Sequence, residues 1–250
     1  MAEAHLILVR VPADEAEAWV RAAARWLTAP ELARAQERVP EVRVHHMVGR
    51  AVLRLVAAGL AGDRDPQAVT VAETPEGKPH LPELPEFGVS VAHSDRVVVV
   101  AACAHAEVGV DVEPITAVTA DVNRLSARLF STEEAQRLAH LEPEAARVEF
   151  LRYWTIKEAV GKALGTGYVP ALRGALVELQ QPGGPVHGPL RLRAVSAGHN
   201  RCAWTLHCVE LEDGGEHVAL VVADAEIALA PVTELTVEQL GNGLVPFKTV

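Results

Sequence analysis

The chain has 250 residues and a formal charge of −10, from 23 Lys and Arg against 33 Asp and Glu; 49% of its residues are hydrophobic and 4% aromatic. That length holds one large or two small domains with a core of Ala, Val and Leu, and the composition is globular rather than disordered. The acidity excludes a broad basic face for nucleic acid, and the longest apolar run, Val97–Ala104, is far short of the roughly 20 residues of a helical membrane span.

In chain order, residues 5–11 read as a strand and residues 15–27 as an amphipathic helix with Trp19, Ala22, Ala23 and Trp26 on one face. A second helical stretch covers about 30–60, with Pro40 expected to break or kink it. Residues 69–73 form a short strand, and a turn-rich segment with four prolines and two glycines follows. Two strands at 88–94 and 95–104 come next, joined tightly around 94–96.

A second unit begins near Glu107, with a strand at 108–113. A helical region runs over 119–140, and Ser131 with Glu134 makes a capping box that starts a helix there. Pro143 suits the first turn of a helix over 143–164 that stops at Gly165 and Gly167. Strands are expected at 172–180, 190–197, 201–211 and 216–224, then a mixed tail with a short helix. The whole reads as α+β, with an N-terminal lobe over 1–105 and a C-terminal lobe over 106–250. Cys103, Cys202 and Cys208 are odd in number and lack CxxC spacing, and the N-terminus carries no basic leader with a cleavage site. A reduced, cytoplasmic protein is expected.

Four clusters carry chemistry. Asp111 and Glu113 lie two apart in GVDVE, so a strand points both carboxylates to one face, a hard-oxygen arrangement suited to Mg²⁺. Trp154, Glu158 and Lys162 recur every four residues and form one helical stripe, with Lys157 about 100° round. Gly77-Lys78-Pro79 is a rigid turn with a cation, and His93 ends an apolar strand in SVAHS. Each suits contact with a phosphate. Taken singly, each has a plainer reading: a solvated acidic strand, an i,i+4 ion pair, a solvated lysine, a structural histidine.

In this order and at these spacings, GKP, SVAHS, GVDVE and WTIKEAVGK resemble the 4′-phosphopantetheinyl transferases of the two-lobed, surfactin-synthetase-activating type. The pattern is Gly-apolar-Asp-apolar-Glu followed by Trp-x-x-Lys-Glu-x-x-x-Lys. The resemblance implies two similar α/β lobes in a pseudo-twofold arrangement, with coenzyme A between them as substrate. It implies transfer of the 4′-phosphopantetheine arm to a serine of an acyl or peptidyl carrier protein, releasing adenosine 3′,5′-bisphosphate. Asp111, Glu113 and Glu158 would hold Mg²⁺ or Mn²⁺ on the pyrophosphate. Lys162 would meet the α-phosphate and offset leaving-group charge. Glu158, or a water on the metal, would take the serine proton, and Asp111 shares the catalytic centre. His93 would meet the 3′-phosphate, while Gly77, Lys78 and Pro79 would line the adenosine end. Arg34, His46, Ala92 and Lys157 complete the coenzyme-binding set, with Ala92 standing where the family often has Ser.

Because carrier proteins are acidic, an enzyme at −10 must dock through a local patch. The segment 121–138 offers Arg124, Leu125, Arg128, Leu129 and Phe130 for this. The family type implies a monomer, with neither nucleic acid nor membrane as partner. Two other readings stay open: a non-catalytic binder of coenzyme A or carrier, and a metal-dependent pyrophosphate hydrolase using the same acidic trio.

Overall fold

A computed structural model of the chain describes residues 3–94, 96–117, 121–167, 176–177, 187–190, 192–193, 204–211, 215–223 and 227–243. It is a mixed α+β fold in two compact units: a terminal unit of residues 3–105 with the segment from Leu229 on, and an inserted unit of residues 106–228.

The terminal unit starts with β1 (Glu3–Arg10), α1 (Ala16–Ala24), α2 (Ala29–Gln36) and α3 (Pro40–Leu60). It continues through β2 (Ala72–Glu73), β3 (Pro79–His80), β4 (Phe87–His93) and β5 (Val97–Ala104). β5 lies between β1 and β4, antiparallel to both. Its unbroken apolar sequence follows from that place, because residues 97–103 are buried on both faces. α3 packs on this sheet, and Val48, Val52, Val98 and Val100 meet in the core.

The stretch read as one helix over 30–60 is two. Thr28 and Glu31 form a capping box at the start of α2. Pro40 is not a kink but the first residue of α3, where its missing N–H falls among donors that have no partner in any helix.

The inserted unit runs β6 (Val108–Pro114), α4 (Val122–Leu129), α5 (Thr132–Ala139), α6 (Pro143–Leu164), β7 (Leu176–Val177), β8 (His187–Leu190), β9 (Leu192–Arg193), β10 (Trp204–Glu210) and β11 (Glu216–Val222). β6, β11, β10 and β8 form one sheet in that order, and α6 packs across it. The region 119–140 again splits in two. Asp121 caps α4 by accepting from the N–H groups of Asn123 and Arg124 at 3.0 and 3.2 Å, and Ser131 with Glu134 closes the capping box of α5. α6 ends at Gly165, whose φ of 63° is the left-handed cap that glycine supplies without a Cβ clash.

The tail corrects one expectation. The segment from Leu229 belongs with the terminal unit and not with the lobe drawn over 106–250. After β12 (Ala228–Leu229), β13 (Thr233–Leu235) pairs parallel to β1, from Ile7 opposite Thr233 to Val9 opposite Leu235. In α7 (Val237–Gly241), Leu240 is fully buried and its carbonyl accepts from Trp26 Nε1 at 2.7 Å. Most of the strands expected at 172–180 and 190–197, and Cys202, lie outside the described residues. Cys103 and Cys208 are buried and form no disulfide among the described residues.

Candidate functional site

β6 alternates cleanly. Val108, Val110 and Val112 occupy one buried face, and Gly109, Asp111 and Glu113 point toward α6. Gly109 decides how close that helix comes. A Cβ there would sit 1.9 Å from the Ala159 carbonyl oxygen and 2.6 Å from the Ala163 nitrogen, so no other residue allows this approach.

With the helix that close, its stripe falls along the acidic edge of β6. Lys162 Nζ donates to Asp111 Oδ1 at 2.7 Å. Trp154 Nε1 donates to Glu113 Oε1 at 3.1 Å, and Trp154 stacks on Phe150 at 6.2 Å between ring centroids. Glu158 lies between these two contacts on the stripe.

Burial pushes the Glu158 carboxyl up to about 7; the Asp111 charge adds to this, Lys162 opposes it and Glu113 adds a little more. Glu158 Oε1 and Asp111 Oδ2 are buried and accept no hydrogen bond. Buried carboxylate oxygens that repel each other and lack donors are the donor set a hard cation takes. Among the described residues no group of three or more His, Cys, Asp or Glu forms a ready-made cation cage. Lys162 is the positive charge seen on Asp111.

Lys157 does not join this edge. It is fully buried, and its ammonium is 3.0 Å from Glu134 Oε2 and 5.5 Å from the centre of the Phe130 ring. Glu134 also accepts from the Ser131 N–H at 2.9 Å, so one carboxylate caps α5 and clamps it to α6. Lys157 was expected at the coenzyme, and the structure places its ammonium on Glu134. A lysine one residue before Glu158 points about 100° away, into the α5 contact rather than toward β6.

The remaining candidates sit in the terminal unit. Gly77 has φ 87°, and the Thr74 N–H donates to the Lys78 carbonyl at 2.9 Å, closing the turn that presents Lys78 and Pro79. His93 is exposed and Ala92 buried at the end of β4. His93 stacks on His45 of α3, ring centroids 5.7 Å apart, and it is His45 rather than His46 that meets it. His46 lies among charges: burial, reinforced by Arg38 and Arg50, lowers its imidazole, while Glu73 opposes the shift. Arg34 reaches Glu73 at 3.7 Å, and Arg50 bridges Glu73 and Glu31. Burial alone would raise Glu31, but donors from Arg54, Arg50 and Thr28 hold it down at about 2.

On the segment 121–138, Arg124 and Arg128 are exposed and Leu125 and Leu129 half-buried. Phe130 is 6% exposed and packs in the core on Phe150 and Tyr153.

A lysine bonded to Asp111, a tryptophan bonded to Glu113 and two buried carboxylate oxygens without donors thus lie along one strand–helix pair. The sequence model of the 4′-phosphopantetheinyl transferase superfamily matches residues 107–222, which include all of this edge. The chain is 34% identical over 164 residues to the 4′-phosphopantetheinyl transferase HetI of Nostoc sp., covering 64% of this chain and 68% of that protein. It is 29% identical over 137 residues to a 4′-phosphopantetheinyl transferase of Bacillus subtilis, covering 55% of this chain and 59% of the relative. It is also 28% identical over 172 residues to the L-aminoadipate-semialdehyde dehydrogenase-phosphopantetheinyl transferase of Xenopus laevis, over 60% of this chain and 55% of that one. The chain thus spans little more than half the length of two of these three relatives. It belongs to the 4′-phosphopantetheinyl transferase superfamily and is an enzyme of that type.

Proposed function

We propose that the chain transfers the 4′-phosphopantetheine arm of coenzyme A to a serine hydroxyl of an acyl or peptidyl carrier protein and releases adenosine 3′,5′-bisphosphate. The observation that carries the reading is the Asp111–Glu158–Lys162 edge, where two buried carboxylate oxygens lack donors beside a lysine 2.7 Å from Asp111.

Asp111, Glu113 and Glu158 would hold a divalent cation, Mg²⁺ or Mn²⁺, which when bound would neutralise pyrophosphate charge. The chain's own groups do the rest. The serine oxygen forms a bond to the phosphorus bearing pantetheine, and the bond from that phosphorus to the adenosine-side oxygen breaks. Glu158 takes the serine proton; a carboxyl held near neutrality suits that transfer. Lys162 stays with the departing phosphate and offsets its charge. His93, Lys78, Pro79, Arg34 and His46 are assigned to the 3′-phosphate and adenosine end, supported by the resemblance and by the basic surroundings of His46.

For the carrier, the exposed Arg124 and Arg128 of α4 offer positive charge to an acidic partner. The reading takes the protein as a cytoplasmic monomer. Among the described residues no helix is long and apolar enough to cross a membrane.

Intact mass spectrometry of an apo carrier incubated with the chain, coenzyme A and Mg²⁺ tests the reading. One phosphopantetheine gained on the carrier, and lost with Glu158→Gln, is the expected result. Cleaved coenzyme A with unmodified carrier would make the chain a hydrolase. Intact coenzyme A with several carriers would make it a binder without turnover.

A further inference from the structure

The site has a neighbour that the sequence pattern did not mark. β11 pairs antiparallel with β6, and the register sets His217 directly opposite Glu113 and Ala219 opposite Asp111. Residues directly opposite in an antiparallel pair share a face, with Cβ atoms about 5 Å apart. His217 therefore lies on the face that carries Asp111 and Glu113 toward α6.

Along β11, the other residues on that face are Ala219 and Val221, both in the apolar core under the helix. His217 is only 3% exposed. An imidazole withdrawn from water into an apolar row costs free energy unless a polar group meets it, and the residue across the strand from it is a carboxylate.

The two acids of β6 thus differ in their surroundings. Asp111 faces Ala219 across the strands and takes its support from Lys162. Glu113 accepts from Trp154 on the helix side and has His217 on the strand side.

We infer that His217 is a positioning residue that holds the Glu113 carboxylate in place from β11, opposite the grip of Trp154. This rests on the reading of Asp111, Glu113 and Glu158 as a cation site. Partners that orient a metal-ligating side chain are typically worth 10–100-fold in metal affinity.

The test titrates Mn²⁺ into the full chain without substrate, following free Mn²⁺ by electron paramagnetic resonance, and records metal-free melting in parallel. His217→Leu keeps the volume but has no donor; His217→Gln keeps a donor. The expected result is Mn²⁺ binding weakened about tenfold or more in His217→Leu, largely restored in His217→Gln, with both metal-free melting temperatures near the parent value. Parent-like Mn²⁺ binding in His217→Leu would overturn the inference and leave the cation site standing. Equal weakening in both variants, in step with lost melting temperature, would reduce His217 to packing and overturn it too. Absence of Mn²⁺ binding in the unsubstituted chain would overturn the cation-site reading, and this inference with it.

Discussion

Gly109→Ala is the sharpest test of how the strand and the helix make the site. The added Cβ would lie 1.9 Å from the Ala159 carbonyl oxygen and 2.9 Å from its carbon. Those are backbone atoms, so no rotamer change relieves the clash. Ordinary contact begins near 3.5 Å, so α6 must retreat from β6 by about 1.5 Å. The 2.7 Å bond from Lys162 to Asp111 then opens to roughly 4 Å, beyond hydrogen-bond reach. Displacement of about 1 Å at reacting groups costs on the order of 100-fold in rate. Overpacking adds about 1–3 kcal/mol of instability, or a melting temperature lower by about 3–10 °C for a chain of this size. The assay is carrier modification at saturating coenzyme A, with kcat and thermal melting measured together. Gly59→Ala is the control: its Cβ meets nothing within 4 Å, and α3 gains up to about 1 kcal/mol. A Gly109→Ala enzyme with kcat within about threefold of the parent would refute the argument that this close approach sets the geometry.

Three further outcomes are expected. Glu134→Leu or Lys157→Met alone leaves an uncompensated charge in the α5–α6 contact and costs about 3–5 kcal/mol in urea unfolding, while the double substitution recovers most of it. Glu31 is held at about 2 against an ordinary 4.5, so its contribution of about 3 kcal/mol is complete above pH 4.5 and is lost as pH falls toward 2; acid unfolding monitored by circular dichroism should show that loss blunted in Glu31→Gln. In chelator at pH 8, Glu158→Gln removes repulsion with Asp111 and Glu113 and should raise the melting temperature, whereas added Mg²⁺ should stabilise the parent and leave the variant unmoved.

What the sequence shows is what depends on near neighbours. The capping box of Ser131 and Glu134, the Pro143 start and Gly165 stop of α6, and the two stripes of GVDVE and WTIKEAVGK are local patterns, and each has its structural counterpart. Pro40 was legible as a discontinuity but not as a helix start, because the deciding feature is the extended backbone of Val39 before it. Phe130 and Lys157 resist sequence reading for a shared reason. Both turn inward at the α4–α5–α6 contact, and helical periodicity says which residues share a stripe but not which stripe faces water. His45 was signalled only by the doublet with His46. His217 carried no local signal at all, since its meaning comes from strand register across about a hundred residues.

The return of the chain to β1 gives the fold an order of assembly. Every described strand and helix of the inserted unit lies between Val108 and Val222, so its sheet can close as soon as that span has been synthesised. The terminal unit, though begun first, waits for residues 229–241 before β13 can join β1 and Leu240 can meet Trp26. A nascent chain stalled short of Leu235 would hold a finished acidic edge while its first sheet was still incomplete. A chaperone that recognises exposed strand backbone would find its binding stretch at Ile7–Val9 until β13 covers it.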